Sequence, residues 1–159
     1  MWNNEGSFTT ELPESVGGDK YKVFFTGGEK NRRGVGVIVR EEVVKSVVMC
    51  EPISDRIMIM RLKMAPVNVL LVQIYAPNED ADEEEKDRFY GRLDQVIKDH
   101  KKGRECVIVM GDFNGKVGDE REEDSVGPFG VGVQNDNGER EWRISAGDIT
   151  YLQQTPGSN

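Results

Sequence analysis

Asp112 and Asn114 stand where an apolar run, CVIVMG, gives way to the polar stretch DFNGKVGDE. A carboxylate at a strand end can orient or deprotonate a water, or ligate a hard cation such as Mg²⁺. An amide two residues on can donate a hydrogen bond to a phosphoryl oxygen without adding repulsive charge. In extended backbone a spacing of two puts both side chains on one side. The pair therefore suits phosphodiester hydrolysis, which needs an activated water and charge stabilisation. Gly111, Gly115 and Gly118 would let backbone approach a ligand. The same Asp, Asn and Gly also favour tight turns for purely local reasons, so a plain turn is the competing reading.

A second polar group ends an earlier apolar run: Tyr75, Pro77 and Asn78 in IYAPNED. A phenol and an amide could both bind phosphate. Calcium is a poor alternative. Asn78, Asp80 and Asp82 have EF-hand spacing, but Glu83 takes the glycine position and Phe89 the position of the bidentate Glu. DFNGKVG fails likewise at Val117. The sequence contains no Walker A motif, Cys/His zinc spacing or Ser-His-Asp set.

The elements that must position these residues are legible as patterns. From Tyr21 onward, short β-rich runs follow one another roughly every ten residues, with turn signals between them: YKVFFTG, GVGVIVR (34–40), VVKSVVM (43–49), RIMIMRL (56–62) and NVLLVQIYA (68–76). This is the pattern of an antiparallel meander. The near-continuous Val, Leu and Ile of NVLLVQIYA predict a strand covered on both faces. The cover is predicted to be a helix over 80–103. Phe89, Leu93, Val96 and Ile97 form its apolar stripe. Asp80 or Asp82 can cap its start, Glu83–Glu85 and Lys98–Lys102 complement its dipole, and Gly103 can stop it. His100, the one histidine, reads as a helix-end residue. ECVIVMGD then returns as a strand, so the crossover predicts parallel pairing with the strand before the helix. Ligands gather beyond the carboxyl ends of such strands. Parallel neighbours would bring Tyr75, Asn78, Asp112 and Asn114 to one edge.

Composition bounds the rest. At 159 residues the chain is one domain in size. A net charge of −8 argues against non-specific nucleic-acid binding through a large basic face, though not against a small cleft. Cys50 and Cys106 lie in apolar runs and read as reduced core thiols. No leader-like run or glycosylation sequon is present and no apolar run is long enough for a bilayer. The expectation is an intracellular protein, nuclear or cytoplasmic rather than secreted, without membrane contact. Residues 1–20 are predicted irregular, 21–139 a partial domain, and 140–159 an irregular, unrelated tail. The fold expected is α/β: a mixed, largely antiparallel sheet with a helix crossover.

GVGVIVR, VLLVQIYAPNED and VIVMGDFNGKVGD together resemble the endonuclease/exonuclease/phosphatase superfamily. The likeness is to the endonuclease domains of LINE-type retrotransposons and the craniofacial development proteins related to them. GDFNGKVG followed by FGVG and NDNGER is specific to that branch, and the resemblance runs from about Trp2 to Arg140. It implies a two-layer α/β sandwich, of which this chain would be the middle part, and Mg²⁺-dependent cleavage of DNA. Carried over, Asp112 would orient the water and contribute to a metal site. Asn114 would hold the scissile phosphate or help ligate metal, Tyr75 would contact that phosphate, and Asn78 would support the same edge. The pattern also calls for a metal-binding Glu ahead of the WNNEGSFTTE-like segment and a Ser-Asp-His motif near the end. Neither is found in this sequence, and Asn3 or Glu5 would be imperfect substitutes for the Glu. The expectation is therefore weak or absent nuclease activity. The alternative is a non-enzymatic remnant that either uses exposed sheet edges or the acidic helix for self-association or a protein partner, or has no function.

Overall fold

The computed structural model describes residues 7–11, 20–27, 34–115, 136–137 and 149–153. In chain order the elements are β1 (Ser7–Glu11), β2 (Tyr21–Gly27), β3 (Gly34–Arg40), α1 (Glu41–Val44), β4 (Val47–Pro52), β5 (Ile57–Leu62), β6 (Val69–Tyr75), α2 (Glu83–His100), β7 (Cys106–Asp112) and β8 (Ile149–Gln153). The α/β class is as expected. The strands form two sheets, not one. β1-β2-β3 make an antiparallel sheet, and β4-β5-β6-β7-β8 make a mixed one. β4, β5 and β6 pair antiparallel, whereas β7 runs parallel to β6 and β8 parallel to β7.

The apolar stripe of α2 decides which face of the larger sheet is covered. Phe89, Leu93, Val96 and Ile97 pack on Ile57 and Ile59 of β5, Leu70, Val72 and Ile74 of β6, and Val107 and Val109 of β7. Leu93 is fully buried there, a contribution of about 1.5–3 kcal/mol. The opposite face of the sheet meets the smaller sheet. Met58 and Met60 of β5 join Phe24, Val35 and Val39, with Leu71 and Tyr75 partly buried beside them. β6 is thus covered on both faces, as its composition predicts.

The helix is shorter than the predicted span. Asp82 is the N-cap, and its Oδ1 accepts the Glu85 N–H at 2.6 Å. At the other end the chain leaves the helix at Lys101, and Gly103 takes a positive φ of 54° in the turn that follows. His100 closes the last turn, its Nδ1 2.8 Å from the Val96 carbonyl oxygen.

Three local expectations change. Residues 43–46 are not strand: Glu41–Val44 form a helical turn, and β4 begins at Val47. The chain must pass there from one sheet to the other. Val43 and Val44 are apolar because they pack half-buried between the sheets, not because they join a ladder. Within the segment expected to be irregular, Ser7–Glu11 pairs antiparallel with β2. Within the tail expected to be irregular, Ile149–Gln153 pairs parallel with β7. Both strands exist because a neighbouring strand offers an open hydrogen-bonding edge.

Cys50 and Cys106 are free thiols, both half-buried. Burial pushes the Cys50 thiol up to about 11. A thiol held neutral in the fold stabilises it below the unfolded value of 9.0; that contribution is lost as pH rises through the folded one. In the native protein at pH 8, Cys50 is expected to alkylate about a hundredfold more slowly than a free thiol, because the thiolate is the nucleophile. Mass mapping after iodoacetamide labelling checks this. Native labelling of Cys50 at the rate seen in guanidinium would contradict it.

Candidate functional site

The parallel register of β6 and β7 sets Tyr75 directly beside Asp112. The two strands stay joined past the last ladder pair, where the Ala76 N–H donates to the Asp112 carbonyl at 2.8 Å. The four residues singled out in the sequence come together at this edge. They do so by a route different from the spacing argument. β7 ends at Asp112, and Asn114 has a positive φ of 47°. Asn114 is therefore in a left-handed turn, not extended. Its backbone N–H donates to Asp112 Oδ1 at 2.9 Å, the bond of an Asx turn. The turn reading holds, and the same turn leaves Asp112 and Asn114 at the strand edge.

The amide of Asn114 reaches back across the edge. Its Nδ2 donates to the Ala76 carbonyl at 2.9 Å and to Asn78 Oδ1 at 3.3 Å. Both of its amide hydrogens thus go to protein acceptors. The second of these bonds orients Asn78: with Oδ1 engaged, the Asn78 NH₂ is turned the other way and is exposed. Asp112 is exposed too, with Oδ1 held by the turn and Oδ2 without a protein partner among the described residues. The Tyr75 hydroxyl likewise has none there. The edge therefore offers one open carboxylate oxygen, one outward amide and one phenol.

Two residues outside the sequence prediction hold this edge. Arg56, just before β5, stacks on the Tyr75 ring with its guanidinium carbon 5.2 Å from the ring centre. Its Nη1 donates to the carbonyls of Tyr75 and Ala76 at 3.0 and 3.1 Å, and its Nη2 pairs with Glu85 at 3.1 Å. Glu85 belongs to the capped first turn of α2, so strand end and helix start are tied through one side chain. Nothing about an Arg in a turn marks this in sequence.

The second is Asn137, completely buried. Its Nδ2 donates to the Pro77 carbonyl at 3.0 Å and the Asn114 carbonyl at 3.2 Å. It lies within NDNGER, the stretch that carries part of the family resemblance, which was the one available signal. Asn3 and Glu5 lie outside the described residues.

A family model for the endonuclease/exonuclease/phosphatase family matches residues 1–140. The chain belongs to that family. Among curated proteins it is similar to craniofacial development protein 2 of Bos taurus, 33% identical over 123 residues, and to that of Tragulus javanicus, 32% identical over 123 residues. Each alignment takes in 77% of this chain and 21% of the relative, so the chain spans about a fifth of the length of these proteins. The match bears out the resemblance read from GVGVIVR, VLLVQIYAPNED and VIVMGDFNGKVGD.

The Mg²⁺ that the resemblance implies meets a thin donor set. Among the described residues no three His, Cys, Asp or Glu side chains come together as a metal cage. One carboxylate, Asp112, flanked by neutral amides does not by itself hold a divalent cation that keeps its water tightly. Nor is any helix of the described residues long and apolar enough to cross a membrane.

Proposed function

We propose that the β6–β7 edge recognises a phosphodiester, with the DNA backbone as its target, in the manner of a retrotransposon-type endonuclease domain. The observation that supports this most is the joint exposure of the Asp112 carboxylate and the Asn78 amide, each oriented by a bond to Asn114. In this reading the Asn78 NH₂ and the Tyr75 hydroxyl donate to phosphoryl oxygens, and Asn114 sets the angle of both amide and carboxylate. The open oxygen of Asp112 accepts the proton of a water whose oxygen bonds to phosphorus. The ester P–O bond breaks, and the leaving oxygen is protonated by solvent. Mg²⁺ is the cation this family resemblance brings with it, and among the described residues Asp112 is the one carboxylate of the edge that would contact it. One carboxylate supplies little charge stabilisation, so binding by this chain outruns cleavage, and turnover is slow or absent. DNA contact would fit a nuclear or cytoplasmic setting.

The test is nicking of supercoiled plasmid in Mg²⁺ buffer, with Asp112→Ala beside the unaltered chain. Loss of a general base typically costs about 10²–10⁴ in rate, so any nicking that belongs to this edge should vanish in the variant. Equal nicking by both proteins refutes the role of Asp112. Absence of both nicking and DNA retention refutes the phosphodiester reading. The second reading, an interaction module without catalysis, then stands on the single carboxylate at the edge.

A further inference from the structure

Asn137 donates hydrogen bonds to both loops leaving the paired strands. Its Nδ2 hydrogens bridge the Pro77 carbonyl, on the exit from β6, and the Asn114 carbonyl, on the exit from β7. Pro77 immediately precedes the outward amide of Asn78, and Asn114 is the residue that orients both Asn78 and Asp112. One planar amide therefore spans the gap between the two halves of the edge.

The residue sits there at a cost. Its Oδ1 is buried without a hydrogen-bond partner among the described residues, and an unmade hydrogen bond in the interior is expensive. A small apolar residue would avoid that cost. The value of an amide at this position lies in its two donated hydrogens.

Asn137 is in turn held from α2. The Tyr90 hydroxyl lies 3.5 Å from the Asn137 carbonyl oxygen. The neighbouring Asp136 pairs at 3.3 Å with Lys86, whose ammonium is buried and also pairs with Glu83 at 3.2 Å. Burial pulls the Lys86 pKa down, but the hydrogen bonds and charges of Glu83 and Asp136 outweigh it, and the net shift is upward. The stabilisation from this pairing is complete below the ordinary value of 10.5; it is lost only as pH rises through the folded one. The tie between Asp136 and the helix thus persists throughout the neutral range.

We infer that Asn137 is a positioning residue: it fixes the separation of the β6 and β7 exit loops, and α2 fixes Asn137 through Lys86 and Tyr90. The inference rests on the reading of this edge as a phosphodiester site.

Two measurements on the full chain decide it. The first is affinity for a short single-stranded oligonucleotide, without Mg²⁺ so that cleavage does not intervene. Asn137→Ala is expected to weaken it about tenfold at a temperature where circular dichroism shows the variant folded. The second is the side-chain amide resonances of Asn78 and Asn114 in ¹H–¹⁵N spectra, expected to move in the same variant. Lys86→Met keeps a long apolar stem and removes the pairing to Asp136. It is expected to shift the same two resonances and serves if Asn137→Ala does not fold. A folded variant that binds as the unaltered chain does, with both resonances in place, overturns the inference and leaves Asn137 a merely structural residue. Failure of the unaltered chain to bind overturns the phosphodiester reading instead, and the resonances alone then decide the role of Asn137.

Discussion

Replacing Gly111 with alanine is expected to cost about 3 kcal/mol or more, from backbone strain together with overpacking. Gly111 has a φ of 138°, which L side chains rarely adopt. A Cβ there would lie 2.0 Å from the Ile74 carbonyl oxygen and 2.9 Å from its carbonyl carbon. The obstacle is backbone, and that backbone cannot yield cheaply. Ile74 is Gly111's partner in the parallel ladder, and its side chain is buried beneath α2. Relief would require β6 and β7 to part at the last pair before Tyr75 and Asp112. For a chain of this size such a loss lowers the melting temperature by about 10 °C. Thermal unfolding followed by circular dichroism checks it, and a fall below about 2 °C would contradict the steric argument. The variant should also lose any activity of the edge out of proportion to the fraction unfolded, because the strained pair lies next to Tyr75 and Asp112.

Removing Arg61 is expected to be about as damaging. This β5 residue is buried on the α2 side of the sheet. Its Nε pairs with Glu105 at 3.0 Å, and its Nη2 donates to the His100 carbonyl at the end of the helix. The other oxygen of Glu105 accepts the Lys102 N–H at 3.0 Å. The network satisfies the helix terminus and the turn into β7 together. Arg61→Ala would leave a buried carboxylate without its cation, a change that typically costs about 3–5 kcal/mol. The sharper test is the double variant Arg61→Met with Glu105→Leu. With both charges gone, no desolvated ion remains unpaired, so it should be more stable than Arg61→Ala alone. Urea unfolding of the three proteins measures the difference. A single variant within about 1 kcal/mol of the parent would show the pair to be dispensable.

The segment from β6 through α2 to β7 was legible because its signals are local. The 3.6-residue stripe of Phe89, Leu93, Val96 and Ile97 and the cap at Asp82 define the helix. The apolar runs on either side define two strands, and a crossover between strands of one sheet makes them parallel. Parallel pairing then carries Tyr75 to Asp112 without further information. That much of the candidate site follows from residue order and elementary chain geometry.

What the sequence did not reveal depends on partners distant in the chain. Ser7–Glu11 and Ile149–Gln153 carry no strong period and become strands because β2 and β7 present open edges. Val43 and Val44 look like strand residues and are instead a helical link between two sheets. Asn114 breaks the spacing-of-two rule because its amide is drawn to Ala76 and Asn78. Arg56, Arg61 and Asn137 are ordinary polar residues in sequence, and only packing gives each its partners. The sequence by itself determined the crossover, the family and the types of group at the edge. The tertiary structure alone decided which way those groups point, because orientation is set by hydrogen bonds between residues as far apart as Pro77 and Asn137, and no local pattern encodes such a bond.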